Sequence, residues 1–506
     1  MGAISNSWNR VRAGAQGGAQ SPRQWPGALS WGLAGAAAAV PLVMAAARDP
    51  LHAGWVTMAL LGFGVLTWVV LEQPAWGACL LILLVYWNVS DVLALNFNFS
   101  WLLRLAIAGA VGAWALNHLL RPGRRLRWPL VAPLAAWGAA QALAAVGAAD
   151  RGVAAAQLGE YAKALVVFYL VVNMLDTPRV WRWGVNAVLL AASLMSLPVI
   201  YQGLTGSRST FAGFGTMIYA SVVNGKFSWR PGGTLGDPNF LAMVLVAALP
   251  LAALQALEPR AGVRRWLALA ALALGALGAL FTYSRGGFLG MLLLAIVLLL
   301  RHRRRRLVAL ALVVVAAGAV AVAPHTLWAR VATLFQNSIT QPGQQMTDSS
   351  FRDRRHEMLA GALMFLDHPL VGVGPGNFED QYLKYSARAG LSGETTVRDP
   401  HSLYTQIAAE TGLVGLAAFV WLVVAAFALM ERGRRRARGA GAQNFAGLIT
   451  ALELGVGLYL VMSTFLHDAY FRHFMLLVAL GATGAALALT AGGRRRAAAG
   501  ALPALR

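Results

Sequence analysis

Apolar stretches of about 17 to 23 residues recur along almost the whole chain, separated by short polar breaks, and one soluble core has no room for so many. Each helical residue rises about 1.5 Å, so about 20 residues cross a hydrocarbon layer about 30 Å thick. The stretches lie roughly over 31–47, 53–71, 76–95, 101–120, 128–148, 155–175, 183–203, 237–257, 265–283, 286–300, 307–323, 405–430, 445–466 and 473–491. A β-barrel would instead alternate apolar and polar residues over about ten-residue strands, and the sequence does not. With 58% hydrophobic and 12% charged residues, the expected fold is all-α: a polytopic membrane protein of roughly 12–14 transmembrane helices.

The net charge of +22 suggests nucleic acid at first sight. The arginines, however, punctuate the apolar blocks rather than forming one basic face, so they report topology, and no nucleic-acid partner is expected. The strongest clusters fall at 121–127, 260–265, 301–306, 432–438 and 494–496, and the alternation of spans puts all five on one side. The positive-inside rule makes that side cytoplasmic, together with both termini. The single cysteine, Cys79, lies in an apolar block and permits neither an intrachain disulfide nor a cysteine zinc site. Residues 1–26 form a polar cytoplasmic tail, and the first apolar block after them reads as an uncleaved anchor in preference to a signal peptide. The bundle then runs over 27–323 with an outward loop at 204–236. A large outward loop follows at 324–405, then C-terminal helices at 406–491 and a basic tail at 492–506.

Chemistry-bearing residues gather on the outward side. Tyr283-Ser284-Arg285-Gly286-Gly287 interrupts a long apolar run and leaves a permanent charge at the membrane boundary, where it needs an anionic partner. A snorkelling arginine at a helix end is the simpler alternative. The 204–236 loop carries Arg208 and Arg230, and Arg230 paired with Arg285 would grip phosphate oxygens with two guanidinium forks. Asp237 reads as a helix N-cap, with Pro238 as first helical residue and Asn239 beside it. In the large loop, Gly372-Val373-Gly374-Pro375-Gly376 reads as a tight turn placing Asn377 and Phe378, because no strand precedes it and no Gly-Lys-Ser/Thr follows. Arg354 lies on an amphipathic segment upstream. Asp399-Pro400-His401-Ser402 opens a helix that stops at Gly412, and the helix dipole is expected to lower the His401 imidazole pKa and keep it neutral. His356, Glu357, His467 and His473 show no metal-ligand spacing, so no metal and no cofactor is expected.

Arg230 before Gly-Thr-Leu-Gly-Asp-Pro-Asn239, then Tyr-Ser-Arg-Gly-Gly287, then Arg354 upstream of His368-Pro-Leu-Val-Gly-Val-Gly-Pro-Gly-Asn-Phe378, then His401-Ser-Leu-Tyr-Thr-Gln resembles the O-antigen ligase and polymerase superfamily in both order and spacing. The resemblance covers roughly 228–416. It implies a bacterial inner-membrane protein with a helical periplasmic loop region, transferring a glycan from undecaprenyl pyrophosphate to an acceptor. The acceptor would be the lipid A core for a ligase, a second lipid-linked glycan for a polymerase, or a protein hydroxyl in some relatives. By motif, the family's essential arginines correspond to Arg230 and Arg285 and its histidine to His401. Arg208, Arg354, Asn239, Asn377 and Tyr283 are the accompanying substrate-contact candidates. Ser402 stands where many ligases carry asparagine, which bears on the acceptor.

These readings combine into an inverting, metal-independent transfer in which His401 removes the acceptor proton and the arginines hold the departing pyrophosphate. The donor's lipid tail is expected in a groove of small residues, Gly286, Gly287 and Gly290. A glycolipid transporter or flippase is the competing class. It would place charge deep within spans, where the sequence offers mainly Glu160, Lys163 and Glu453.

Overall fold

The computed structural model describes residues 73–98, 102–120, 126–223, 226–258, 262–301, 349–390, 398–466 and 472–500. The apolar blocks at 31–47, 53–71 and 307–323 lie outside them. In the first half of the bundle the helices are α1 (Pro74–Tyr86), α2 (Val89–Phe97), α3 (Leu102–Leu120), α4 (Val131–Val146), α5 (Arg151–Met174) and α6 (Pro178–Thr205). A hairpin follows, β1 (Thr216–Val223) with β2 (Lys226–Gly233), then α7 (Pro238–Ala256), α8 (Val263–Phe281) and α9 (Arg285–Arg301). The large insert contributes α10 (Ser349–Asp367) and α11 (Phe378–Arg388), and the chain closes with α12 (Leu403–Gly439), α13 (Gln443–Met462) and α14 (Arg472–Gly500). Among the described residues, seven helices are long and apolar enough to cross a membrane, or eight if the bent pair α1 and α2 is one span. The all-α polytopic architecture is therefore as expected.

Local chemistry sets the helix starts. Asp150 caps α5 by accepting from the Gly152 and Val153 amides at 2.7 and 3.1 Å, and Thr177 caps α6 ahead of Pro178. Asp237 caps α7 through the Asn239 and Phe240 amides at 2.6 and 3.0 Å, with Pro238 at the first helical position, where its missing N–H costs nothing.

The most enclosed span is α7, which packs against α8, α13, α9 and α6. Close backbone approach makes this possible: a Cβ on Gly455 of α13 would sit 2.5 Å from the Ala247 carbonyl oxygen of α7. Side-chain hydrogen bonds join the spans where water is excluded. Tyr86 donates to the Val244 carbonyl at 2.9 Å, Trp181 to the Leu480 carbonyl at 2.8 Å and Tyr161 to the Leu134 carbonyl at 2.6 Å. The block expected as one span at 76–95 is broken: Asn88 turns left-handed (φ 60°) and α2 leaves α1 at 56°. The Asn88 amide then donates to the Thr234 carbonyl at 2.8 Å, so the bend supports the segment leading into α7.

Short connections make successive helices antiparallel, which gives the bundle two distinct ends. At one end lie the α7–α8 and α12–α13 connections, with ion pairs Arg182–Glu258 at 3.1 Å and Arg434–Glu453 at 3.6 Å. Glu453, read from the sequence as mid-span charge, lies midway along α13 and pairs with Arg434 near the end of α12. Glu160 and Lys163 pair with each other along α5. The opposite end carries the hairpin, the α8–α9 break, the insert and the start of α12. The insert has its own small core of Ala360, Met364, Val373, Phe378, Tyr382, Tyr385 and Ala409. The α14 helix runs on through Gly500, past the expected tail boundary at 491.

Candidate active site

Arg230 enters the site from β2, opposite Ile218 in the hairpin register. Its Nε donates to the Thr282 carbonyl at 3.0 Å and its Nη2 to the Asn239 side-chain oxygen at 3.0 Å. The first acceptor belongs to the end of α8, where carbonyls run out of helical partners. The second is in the first turn of α7. Two bonds from one planar group therefore fix the guanidinium against two helix ends. Between α8 and α9 the chain reverses through Tyr283, a non-glycine residue at φ 54°. Ser284 then accepts from the Gly287 amide at 3.3 Å, and Arg285 is the first residue of α9. A Cβ on Gly287 would stand 2.9 Å from the Ala242 Cβ of α7, so the N-termini of α7 and α9 lie side by side. Two helix N-termini and two arginines outweigh the single Asp237 carboxylate that caps α7, so the region favours an anion.

Of the glycines assigned to a lipid groove, Gly286 is half-buried with room for a Cβ, and the other two serve helix packing. Gly287 and Gly290 are buried, and a Cβ on Gly290 would be 2.6 Å from the Met462 sulfur and 3.1 Å from Val246. They are small because α9 presses on α7 and α13, which leaves no room there for an acyl chain.

His401 lies in an extended segment just before α12, whose cap is Ser402, with its hydroxyl accepting from the Thr405 amide at 3.4 Å. The imidazole Nδ1 is 3.1 Å from the Asp399 carbonyl and 3.0 Å from Oε2 of Glu357, a residue of α10 only 2% exposed. Nδ1 thus meets two oxygens at once, and the Glu357 contact becomes an ion pair when the imidazole is protonated. The other carboxylate oxygen of Glu357 faces Arg398 at 4.0 Å. The helix-dipole expectation for His401 is corrected here. Burial pushes its pKa down and the Arg354 charge adds to that, but the hydrogen bond and charge of Glu357, together with the Asp399 carbonyl bond, outweigh both, and the net direction is upward. Beside it, Glu379 of α11 bonds to Asp399. That bond, with burial and the neighbouring carboxylates Asp399, Asp380 and Glu410, raises the Glu379 pKa to about 8.

Both half-sites attach to the same end of α13. The Leu403 amide donates to the Leu466 carbonyl at 2.7 Å and the Tyr404 hydroxyl to the Leu460 carbonyl at 2.8 Å. Three residues before Leu466, the Ser463 hydroxyl meets the Met243 sulfur of α7 at 3.4 Å, one turn below Asn239. Met462 packs on Gly290 of α9.

The remaining candidates are distributed more widely. Arg354 acts electrostatically on His401. Exposed Arg208 stacks over Trp229 at 5.0 Å on the hairpin. Asn377 is fully buried: its oxygen accepts from the Asp150 amide at 2.5 Å and its amide donates to the Asp150 and Pro375 carbonyls at 3.1 Å each. A substrate would reach that side chain only by breaking these bonds. The Gly372–Gly376 run is the expected turn, with positive φ at Gly372, Gly374 and Gly376. Its Val373 and Gly374 amides donate to the Ala409 and Glu410 carbonyls at 2.9 and 3.0 Å. Glu357, Arg398 and Glu379 are site residues that sequence reasoning missed. The signal for the first was present, since Arg354 and Glu357 are three residues apart and share a face of α10. Among the described residues, no group of three or more His, Cys, Asp or Glu side chains is placed to hold a metal ion.

Residues 270–420 match the family described as O-antigen ligase. That stretch carries the chain's similarity to the O-antigen ligase and polymerase superfamily. The ligase-type region runs from α8 into α12 and so includes Tyr283, Arg285, Arg354, Asn377 and His401, while Arg208, Arg230 and Asn239 precede it. A comparison with curated proteins gave no match. The ligase-type match and the array of apolar helices together make this a multi-pass bacterial membrane protein of ligase or polymerase type, acting in lipopolysaccharide or polysaccharide synthesis.

Proposed function

We propose that the chain is an inner-membrane glycosyltransferase that moves a glycan from undecaprenyl pyrophosphate to a hydroxyl of the lipid A core, with the active site facing the periplasm and both termini in the cytoplasm. The observation that carries this reading is that Arg230, Arg285 and His401, from three separate segments, are all anchored to one end of α7, α9 and α13. A glycosyl pyrophosphate donor needs positive charge where its leaving group develops negative charge, and a base where the acceptor loses its proton. In the proposed step the acceptor oxygen bonds to the anomeric carbon as the bond from that carbon to the pyrophosphate oxygen breaks, with inversion. The acceptor proton passes to His401, and the pyrophosphate is received by Arg230 and Arg285. Because two bonds already orient Arg230, its charge is presented without reorganisation.

The test is transfer by purified protein in lipid, given undecaprenyl-pyrophosphate glycan and either lipid A core or a second lipid-linked glycan. Product on lipid A core is expected; extension of the lipid-linked glycan alone would make the chain a polymerase. His401→Ala should lower the rate by about 10² to 10⁴. Full activity in that variant would remove the histidine from the chemistry.

A further inference from the structure

Among the described residues of the insert, Glu357 is the most enclosed charged group, at 2% exposure, and an ionised carboxylate so placed needs compensation close by. Arg398 offers it only at 4.0 Å, whereas the His401 imidazole offers it at 3.0 Å. The groups around this pair are Arg354 and Glu357 on α10, Arg398 and Asp399 in the segment before α12, Glu379 on α11 bonded to Asp399, and Glu410 on α12 acting on Glu379. On the ring itself, Nδ1 is the atom engaged by both Glu357 and the Asp399 carbonyl.

We propose that Glu357 is the positioning residue of His401: with the Asp399 carbonyl it holds the proton on Nδ1, so that Nε2 takes the acceptor proton, and it stabilises the imidazolium that results. The proposal rests on the base role given to His401 above. In the step, the acceptor O–H bond breaks, its electron pair forms the new glycosidic bond, and the proton goes to Nε2. Glu357 stays ionised throughout and exchanges no proton. Its contribution grows as the ring becomes charged, so it acts more strongly on the transition state than on the resting enzyme.

The full-length protein in lipid nanodiscs, labelled with ¹⁵N-histidine, provides a readout independent of activity, with the His401 signal assigned by its loss in His401→Ala. In the wild type the resting ring should be the Nδ1–H tautomer. Glu357→Gln should lower the His401 titration midpoint and scramble the tautomer. It should move the acid limb of the kcat–pH profile to lower pH by the same amount, and reduce kcat about tenfold to a hundredfold with donor KM changed less than about threefold. Glu357→Asp should restore part of kcat and of the midpoint. Arg398→Gln should move the midpoint the other way, upward, because it removes a competing cation. This arm answers the question even if the Glu357 variants fold poorly. An unmoved midpoint and tautomer in Glu357→Gln or Arg398→Gln, with His401→Ala inactive, would overturn the assignment of Glu357 alone. Full activity in His401→Ala would overturn the base reading itself, whatever the titration shows.

Discussion

Replacing Arg230 with lysine keeps the charge and removes the planar fork, which separates two explanations of why an arginine stands there. The guanidinium donates to Thr282 O and Asn239 Oδ1, each at 3.0 Å, from two different nitrogens of one rigid group. A lysine ammonium is a compact donor on a flexible stem and cannot span both acceptors with the same geometry. At least one charge-assisted bond is lost, worth about 1.5–3 kcal/mol. Where that loss falls on the oriented charge in the transition state, it corresponds to about tenfold to a hundredfold in kcat/KM. The assay is glycan transfer from a lipid-linked donor, with thermal unfolding measured in parallel to show that the helices are still assembled. A double-mutant cycle with Asn239→Ala should give a coupling of about 0.5–3 kcal/mol, because both residues share one bond. Wild-type kcat/KM in Arg230→Lys would refute the reasoning, since charge alone would then suffice.

Two further expectations concern the insert. The pKa of Glu379 stands at about 8 against an ordinary carboxyl value of 4.5, so the folded protein binds the extra proton between those pH values and the unfolded chain does not. Its stabilisation is therefore complete below about pH 4.5 and fades as pH rises through about 8. Amide hydrogen exchange in residues 399–402 should show increasing opening over that range, and Glu379→Gln should flatten the dependence. Asn377→Ala should lower thermal stability by about 2–4 kcal/mol, since it removes both bonds to Asp150 and strands buried backbone groups. Donor KM should stay nearly unchanged; a large rise in KM with stability intact would restore Asn377 to the substrate site.

What could be read from the sequence depended on whether its cause was local. Spans are legible because a 20-residue apolar block is a length signal needing no partner, and Asp237-Pro238 and Gly372–Gly376 are legible because capping and positive φ are properties of a few adjacent residues. The bend at Asn88 is hidden because apolar composition continues through it, and its reason is a distant carbonyl, Thr234. The hairpin had a sequence cue, Asn224-Gly225 between two β-prone runs, that a helical frame made easy to pass over. The candidate arginines and histidine stand out in the sequence by residue type and by the loops that carry them, whereas what each one touches does not. The direction of the histidine's pKa was missed because it is set by Glu357, forty-four residues away, rather than by the neighbouring helix.

The break in α12 at Gly412 divides the helix into a short piece beginning beside His401 and a long piece crossing the bundle. Gly412 stands at φ 63°, ψ −162°, and the interruption is sealed from outside, with the Leu413 and Val414 amides donating to the Pro369 and Leu370 carbonyls at 2.8 and 3.1 Å. The short piece beside the histidine is thus held both by the insert and, through Leu403 and Tyr404, by the end of α13. Tilting of residues 413–439 in bilayers of different thickness is passed to the insert through the Leu413 and Val414 bonds, so turnover measured across lipids of graded acyl length should vary with bilayer thickness.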